Sequence, residues 1–151
     1  MRTIAAILIL LYIHIDSLAQ TPQGFDSLLA KKLGADAYGM KKFTLVLLKT
    51  GSVKITDKSK LDSLFSGHMK NIQRLASENK LIIAGPLGKN SNNYEGIFVF
   101  NSENMKEVQQ QIDTDPAIHS GILKAELYLW YSSASLQEIP ALHNQIQREH
   151  F

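Results

Sequence analysis

Residues 61–86, LDSLFSGHMKNIQRLASENKLIIAGP, decide the fold, because they read as one long helix followed at once by a strand. Apolar side chains recur in the first part at the spacing of an amphipathic helix: Leu61, Leu64, Phe65, Ile72, Leu75 and Ala76. His68 falls on the same apolar face, where an imidazole needs a polar partner. The helix is predicted to end near Asn79, and residues 81–84 form a strand that Gly85 and Pro86 close.

Three further apolar runs predict strands at residues 43–48 (FTLVLL), 96–100 (GIFVF) and 127–131 (LYLWY). Ser102 is in position to cap a second helix, whose apolar face carries Met105, Val108 and Ile112. The core order is therefore β-α-β-β-α-β. This order predicts an α+β domain of the ferredoxin-like type, with an antiparallel sheet and two helices on one of its faces.

The second face of that sheet is also apolar, so it needs a cover. A second subunit is the simplest cover and predicts a homodimer, while an added C-terminal helix could cover part of the face. That helix is predicted within residues 132–151, where Ser135 and Glu138 form a capping box ahead of Leu136, Ile139, Leu142 and Ile146. Residues 20–41 predict an N-terminal helix and linker, with Gly34 as the helix stop.

Residues 1–19 have the pattern of an export signal. A basic start at Arg2 is followed by an apolar run, and Ser17 and Ala19 place small residues at the cleavage positions. Cleavage is expected before Gln20, although an uncleaved anchor is the alternative. The pattern predicts a periplasmic or secreted protein with no membrane attachment after cleavage.

Bulk properties exclude several classes of function. The chain has 151 residues, enough for one domain with a real core, and a formal net charge of +2. That charge is too small to indicate nucleic acid or an anionic membrane as partner. The sequence contains no cysteine, which excludes disulfides and thiolate chemistry.

His68 and Asp115 are the candidate catalytic residues. Each has a purely structural alternative: His68 as a core histidine with both nitrogens satisfied by backbone groups, and Asp115 as the cap of a helix that Pro116 begins. Brought together, they would form an acid/base pair suited to proton transfer near neutral pH. A metal site of His68, Asp115 and His119 is conceivable, but no ligand spacing supports it, and no metal is expected.

Gly85, Pro86 and Trp130 are the candidate substrate-binding residues. Gly85 and Pro86 could let a ligand approach the backbone beside the His68 helix, or could simply end the strand. Trp130 shares a strand face with Tyr128 and could line a pocket or pack at a subunit contact. No phosphate loop, nucleophile elbow or zinc cluster is present in the sequence, so no cofactor is expected and the substrate is predicted to be a small molecule.

The ordered set HMKNIQRLASENKLIIAGP, GIFVF and DTDPAIHSGILKAELYLW resembles the YCII-related (YciI-like) family over residues 42–131. The resemblance implies a dimeric α/β barrel of ferredoxin-like domains, with His68 and Asp115 in the active site and Gly85-Pro86 as the strand-end motif. It also implies lyase-like or hydrolase-like acid/base chemistry. The chain departs from the family at Asn79, where glycine is frequent, and in its terminal segments. The competing hypothesis is a ligand-binding or structural module of the cell envelope, in which His68 and Asp115 only fix the fold.

Overall fold

The computed structural model describes residues 24–149, so the predicted signal peptide, residues 1–19, lies outside the described residues. The elements of this part of the chain come in the following order: α1 Ser27–Leu33, β1 Met40–Thr50, α2 Lys58–Ser77, β2 Leu81–Pro86, β3 Tyr94–Phe100, α3 Met105–Ile112, α4 Pro116–His119, β4 Leu123–Ser133, a 3-10 turn Ala134–Glu138 and α5 Ile139–Ile146. No helix within residues 24–149 is long and apolar enough to cross a membrane.

The four strands form one antiparallel sheet in the order β2-β3-β1-β4. This is the strand order of the ferredoxin-like β-α-β-β-α-β arrangement, so the predicted α+β fold is confirmed. The two central strands, β1 and β3, run through the most buried part of the sheet. β1 and β4 are each eleven residues long and extend well beyond the predicted runs, because they pair with each other over their whole length.

The predicted helix stops are confirmed. Gly34 ends α1 in the left-handed conformation (φ 63°), and Asn79 does the same just after α2 (φ 55°). Glycine and asparagine are the residues that adopt this backbone at low cost, so both stops follow from local chemistry. The stop at Asn79 turns the chain directly from α2 into β2.

Two predicted caps are wrong. Asn104, not Ser102, caps α3, since the Asn104 side chain accepts the Glu107 N–H while Ser102 Oγ accepts the Asn104 N–H. The capping box of Ser135 and Glu138 does not form either. Pro140 has no N–H to continue a helix begun at Ser135, so α5 starts at Ile139 after the 3-10 turn.

Apolar side chains are buried on both faces of the sheet. On one face α2, α3 and α4 cover the larger core, which includes Val46, Leu75, Phe98 and Phe100. On the other face a smaller cluster of Phe43, Ile82 and Val99 is covered by Leu136 from the 3-10 turn. The C-terminal segment therefore covers part of the second face, as the sequence suggested.

One irregularity interrupts the pairing of the central strands. Leu48 pairs with Gly96, but the next residue, Lys49, pairs with Tyr94. Glu95 is therefore an extra residue in β3, a β-bulge. A bulge changes the face on which a side chain emerges, and this one lies at the end of the sheet that borders the site described next.

Candidate active site

A cavity of about 720 Å³ opens between α2 and the sheet. Most of its wall is aliphatic or aromatic, and the polar side chains of the wall are Thr50, His68 and Glu95. A largely apolar cavity of this size with a few polar groups is the usual form of a small-molecule site. The apolar wall consists of Leu48, Val53, Ile55, Leu61, Phe65, Met69, Ile72, Ala84, Pro86, Phe98, Ile122 and Leu123, with Gly85 and Gly96.

His68 is buried at the α2 side of this cavity. Its imidazole stacks on the Phe98 ring of β3, with centroids 5.9 Å apart and the planes inclined by 26°. Phe65, one turn earlier in α2, contacts the imidazole edge-on at 6.2 Å. The two rings fix the plane of the imidazole, so the direction in which each ring nitrogen points is also fixed.

Asp115 holds the His68 ring by a hydrogen bond at Nδ1. His68 Nδ1 lies 2.8 Å from Asp115 Oδ2, and the Asp115 side chain is fully buried and outside the cavity wall. The other carboxylate oxygen, Oδ1, accepts the N–H groups of Ala117 and Ile118 at the start of α4. The helix cap and the hydrogen bond to His68 therefore coexist in one carboxylate.

Burial, the largest influence, raises the pKa of the Asp115 carboxyl. The hydrogen bond and the charge of His68, together with bonds from Asn71 and the Ala117 N–H, outweigh burial and lower this pKa below its usual value. Asp115 is therefore a carboxylate at neutral pH. A carboxylate only accepts hydrogen bonds, so the proton in the bond to His68 belongs to Nδ1. In the neutral imidazole, Nε2 then has the free lone pair and is the nitrogen available to a ligand.

Asn71 is a site residue that the sequence reasoning missed. It lies one turn after His68 on α2, is buried, and donates from Nδ2 to Asp115 Oδ2 at 3.3 Å. Arg74 donates to Asn71 Oδ1 at 2.8 Å, which fixes the orientation of the amide. The sequence does contain a signal for Asn71: it follows His68 by three residues, so its polar side chain lies on the same helix face.

Gly67 is the second missed residue. A Cβ at Gly67 would lie 2.7 Å from Cγ of Pro116, so only glycine lets α4 approach α2 this closely. That approach brings Asp115 to His68. A glycine inside an otherwise regular helix is a signal of such close packing, because it costs helix stability of about 1 kcal/mol relative to alanine.

Of the three residues predicted to contact a substrate, two line the cavity and one does not. Gly85 and Pro86 line the cavity, as predicted. Trp130 does not, because it packs on the opposite sheet face against the cluster of Phe43, Ile82 and Val99. Its predicted role as a substrate contact is a mistake of facing, since every second residue of β4 points away from the helices.

His119 does not join His68 and Asp115 in a metal site. Within residues 24–149 no three histidine, aspartate or glutamate side chains are grouped so that they could hold a metal ion. His119 is exposed on α4, one turn after Asp115. Its side chain therefore stands outside the buried pair.

No protein-family model matches this chain, and no curated protein matches it in sequence. The resemblance to the YCII-related family therefore rests only on the residues quoted above. Among solved structures, the chain is similar to 5-chloro-2-hydroxyhydroquinone dehydrochlorinase from Burkholderia phenoliruptrix AC1100 in complex with 2,5-dihydroxybenzoquinone. The identity is 18%, the TM-score is 0.42, and the match covers 58% of this chain and 92% of the other.

The lowered pKa of Asp115 predicts a pH-dependent contribution to stability. Because the folded state favours the carboxylate, this contribution is complete above the unfolded pKa of about 3.9 and is lost as the pH falls through the lowered folded value. We expect Asp115→Asn to reduce the free energy of unfolding by about 2 kcal/mol at neutral pH. The difference from wild type should shrink below about pH 4 in urea titrations.

Asp113→Asn is the matched control, because Asp113 is an exposed carboxylate two residues away. It should change the free energy of unfolding by less than about 0.5 kcal/mol at neutral pH. A difference between wild type and Asp115→Asn that stays constant from neutral to acidic pH would contradict an ionised, hydrogen-bonded Asp115.

Proposed function

We propose that this chain is a small-molecule enzyme in which His68 transfers a proton at Nε2 and Asp115 positions the imidazole. The observation that carries this proposal is that only one of the two ring nitrogens of His68 is occupied by the bond to Asp115. Nδ1 is held at 2.8 Å by a fully buried carboxylate, while the ring itself lines a cavity of about 720 Å³. A histidine required only for folding has no need to line a cavity of this size.

Asp115 acts through His68 in this proposal. Four donors, from His68, Asn71, Ala117 and Ile118, surround its two oxygens, so little capacity remains for a substrate. The carboxylate fixes the Nδ1–H tautomer and stabilises the imidazolium that forms when Nε2 accepts a proton. Its role is that of an orienting group, as in other sites built from a base and a buried carboxylate.

An elimination of the lyase type fits this cavity best. His68 Nε2 takes the proton from one substrate carbon, the C–H electrons form a C=C bond, and the leaving group departs from the neighbouring carbon with its bonding pair. The imidazolium then returns the proton to the departed group or to water. Hydrolysis would also need an oriented water, and the mostly apolar wall has few groups to hold one. The resemblance to the YCII-related family supports acid/base chemistry of this kind.

His68→Gln tests the proposal. A thermal-shift screen of small cyclic and aromatic metabolites should first find compounds that raise the melting temperature of the wild type. Mass spectrometry should then show that the wild type converts at least one of them. We expect His68→Gln to lose about a hundredfold or more of that turnover, because general acid/base catalysis contributes at least this much.

His119→Gln is the matched control, since His119 is exposed and lies outside the cavity wall. It should convert the compound at the wild-type rate. Turnover by His68→Gln equal to that of the control would contradict the proposal. Binding without turnover in the wild type would favour the alternative, a ligand-binding module in which His68 and Asp115 only fix the fold.

We propose that two copies of the chain associate through the second sheet face. Leu45 and Leu47 on β1 and Ile97 on β3 are only half-buried, and Tyr128 on β4 is 47% exposed. The C-terminal segment covers the Phe43 end of this face and leaves the end around Tyr128 open. Face-to-face packing of two such sheets would bury this remaining apolar surface and give the dimeric α/β barrel.

Light scattering at micromolar concentration tests the dimer. We expect the wild type to have twice the chain mass, and Tyr128→Asp to have the mass of a single chain, because a charge buried between the sheets is costly. Tyr38→Asp is the control, since Tyr38 is a highly exposed residue in the loop before β1, and it should stay dimeric. A monomeric wild type would contradict the proposal.

A further inference from the structure

The β-bulge at Glu95 turns a carboxylate toward the candidate active site. In regular pairing Glu95 would point to the face opposite that of Gly96, because strand residues alternate. Here Lys49 skips it and pairs with Tyr94, and the Lys49 ammonium lies over the Tyr94 ring on the second face. Glu95 and Gly96 consequently both line the cavity. Bulges frequently re-aim side chains next to functional sites.

Glu95 is held at the cavity by Thr50, the other polar residue at this end of the wall. The Thr50 hydroxyl donates a hydrogen bond to Glu95 Oε1. A carboxylate has about four acceptor positions on its two oxygens, so further positions remain for a ligand. Gly96 beside it carries no side chain, and a Cβ there would lie 2.9 Å from the Gly85 carbonyl oxygen. Of the two β3 residues at the bulge that line the cavity, Glu95 is therefore the one with a side chain.

The cavity wall has an acidic side chain but no lysine or arginine. No lysine or arginine is among the residues of the wall, and its ionisable side chains are His68 and Glu95. An anionic substrate would meet the solvent-exposed Glu95 carboxylate with no lysine or arginine of the wall to pair with it. A substrate with a hydroxyl or ammonium group would instead find an acceptor at Glu95 while its apolar part contacts the rest of the wall.

We infer that the substrate is a mostly apolar small molecule that carries a hydroxyl or ammonium group and no carboxylate or phosphate, and that Glu95 selects it by accepting a hydrogen bond from that group. This inference rests on the proposed function, since it assigns the substrate class of the same cavity. Glu95 sits on β3 and His68 on α2, so the donor group and the reacting carbon are held by different elements. Glu95 is the specificity residue, and His68 transfers the proton.

Three probes of nearly equal size test the inference: benzylamine, benzyl alcohol and benzoate. Calorimetric or NMR titration at neutral pH gives the affinity of each for the wild type, for Glu95→Gln and for Glu103→Gln. Glu103 pairs with Lys42 near the opposite end of β1, so Glu103→Gln makes the same change in net charge away from the cavity. We expect the wild type and Glu103→Gln to bind benzylamine about tenfold more tightly than benzoate, with benzyl alcohol between them.

Glu95→Gln should bring the affinities of benzylamine and benzoate to within about twofold, because it removes the charge but keeps the size of the side chain. Benzoate binding to the wild type as tightly as benzylamine would overturn the inference. An unchanged preference in Glu95→Gln, or an equal loss in Glu103→Gln, would overturn it too, and the proposed enzyme function would stand in either case. Failure of all three probes to bind the wild type would count against the cavity as a small-molecule site and thus against both proposals.

Discussion

The hydrogen bond between His68 Nδ1 and Asp115 Oδ2 is the constraint on which the site depends. It joins α2 to α4 across 47 residues of chain at a distance of 2.8 Å, in the interior. Burying a carboxylate is costly unless its oxygens are satisfied, and here four donors satisfy them. The same bond decides which imidazole nitrogen stays available, so the packing of α4 on α2 and the proposed chemistry share one contact.

The fold supplies what this contact needs. Gly67 lets Pro116 come close to α2, and Pro116 begins α4 immediately after Asp115, so the cap and the hydrogen bond to His68 form at the same corner. Phe98 from the central strand β3 stacks on the face of the imidazole. The cavity lies where α2 passes over the sheet end at which β2 and β3 carry Gly85 and Gly96. Small residues at these positions leave the space that larger side chains would fill.

Much of this arrangement follows from local sequence patterns. The period of three to four residues in α2 placed His68 on the buried face, the Asp115-Pro116 pair announced a helix start, and the order of elements indicated the ferredoxin-like sheet. Trp130 was misplaced because an all-apolar strand gives no alternation from which its facing can be read. The Ser135 capping box failed because Pro140 and the Lys32–Glu138 ion pair compete with it.

Glu95 lay beyond sequence reasoning for a different reason. A bulge depends on the register between two strands, and β1 and β3 are separated by α2 and β2, so nothing local to residues 94–96 reveals it. Asn71 was also overlooked, although its spacing from His68 could have identified it. The partner of His68, Asp115, was thus predictable from local sequence. The position of Glu95 in the cavity wall was not, because it depends on how β1 and β3 pair.

The tautomer of His68 is the most direct test of the central claim. Nitrogen-15 NMR of the imidazole distinguishes a protonated ring nitrogen from an unprotonated one, and neutral His68 should have its proton on Nδ1 and none on Nε2. In Asp115→Asn the amide oxygen still caps α4, its NH2 group faces the imidazole, and the proton should move to Nε2. A wild-type protein whose neutral His68 carries its proton on Nε2 would contradict the account, because the nitrogen available to the cavity would then be an acid and not a base.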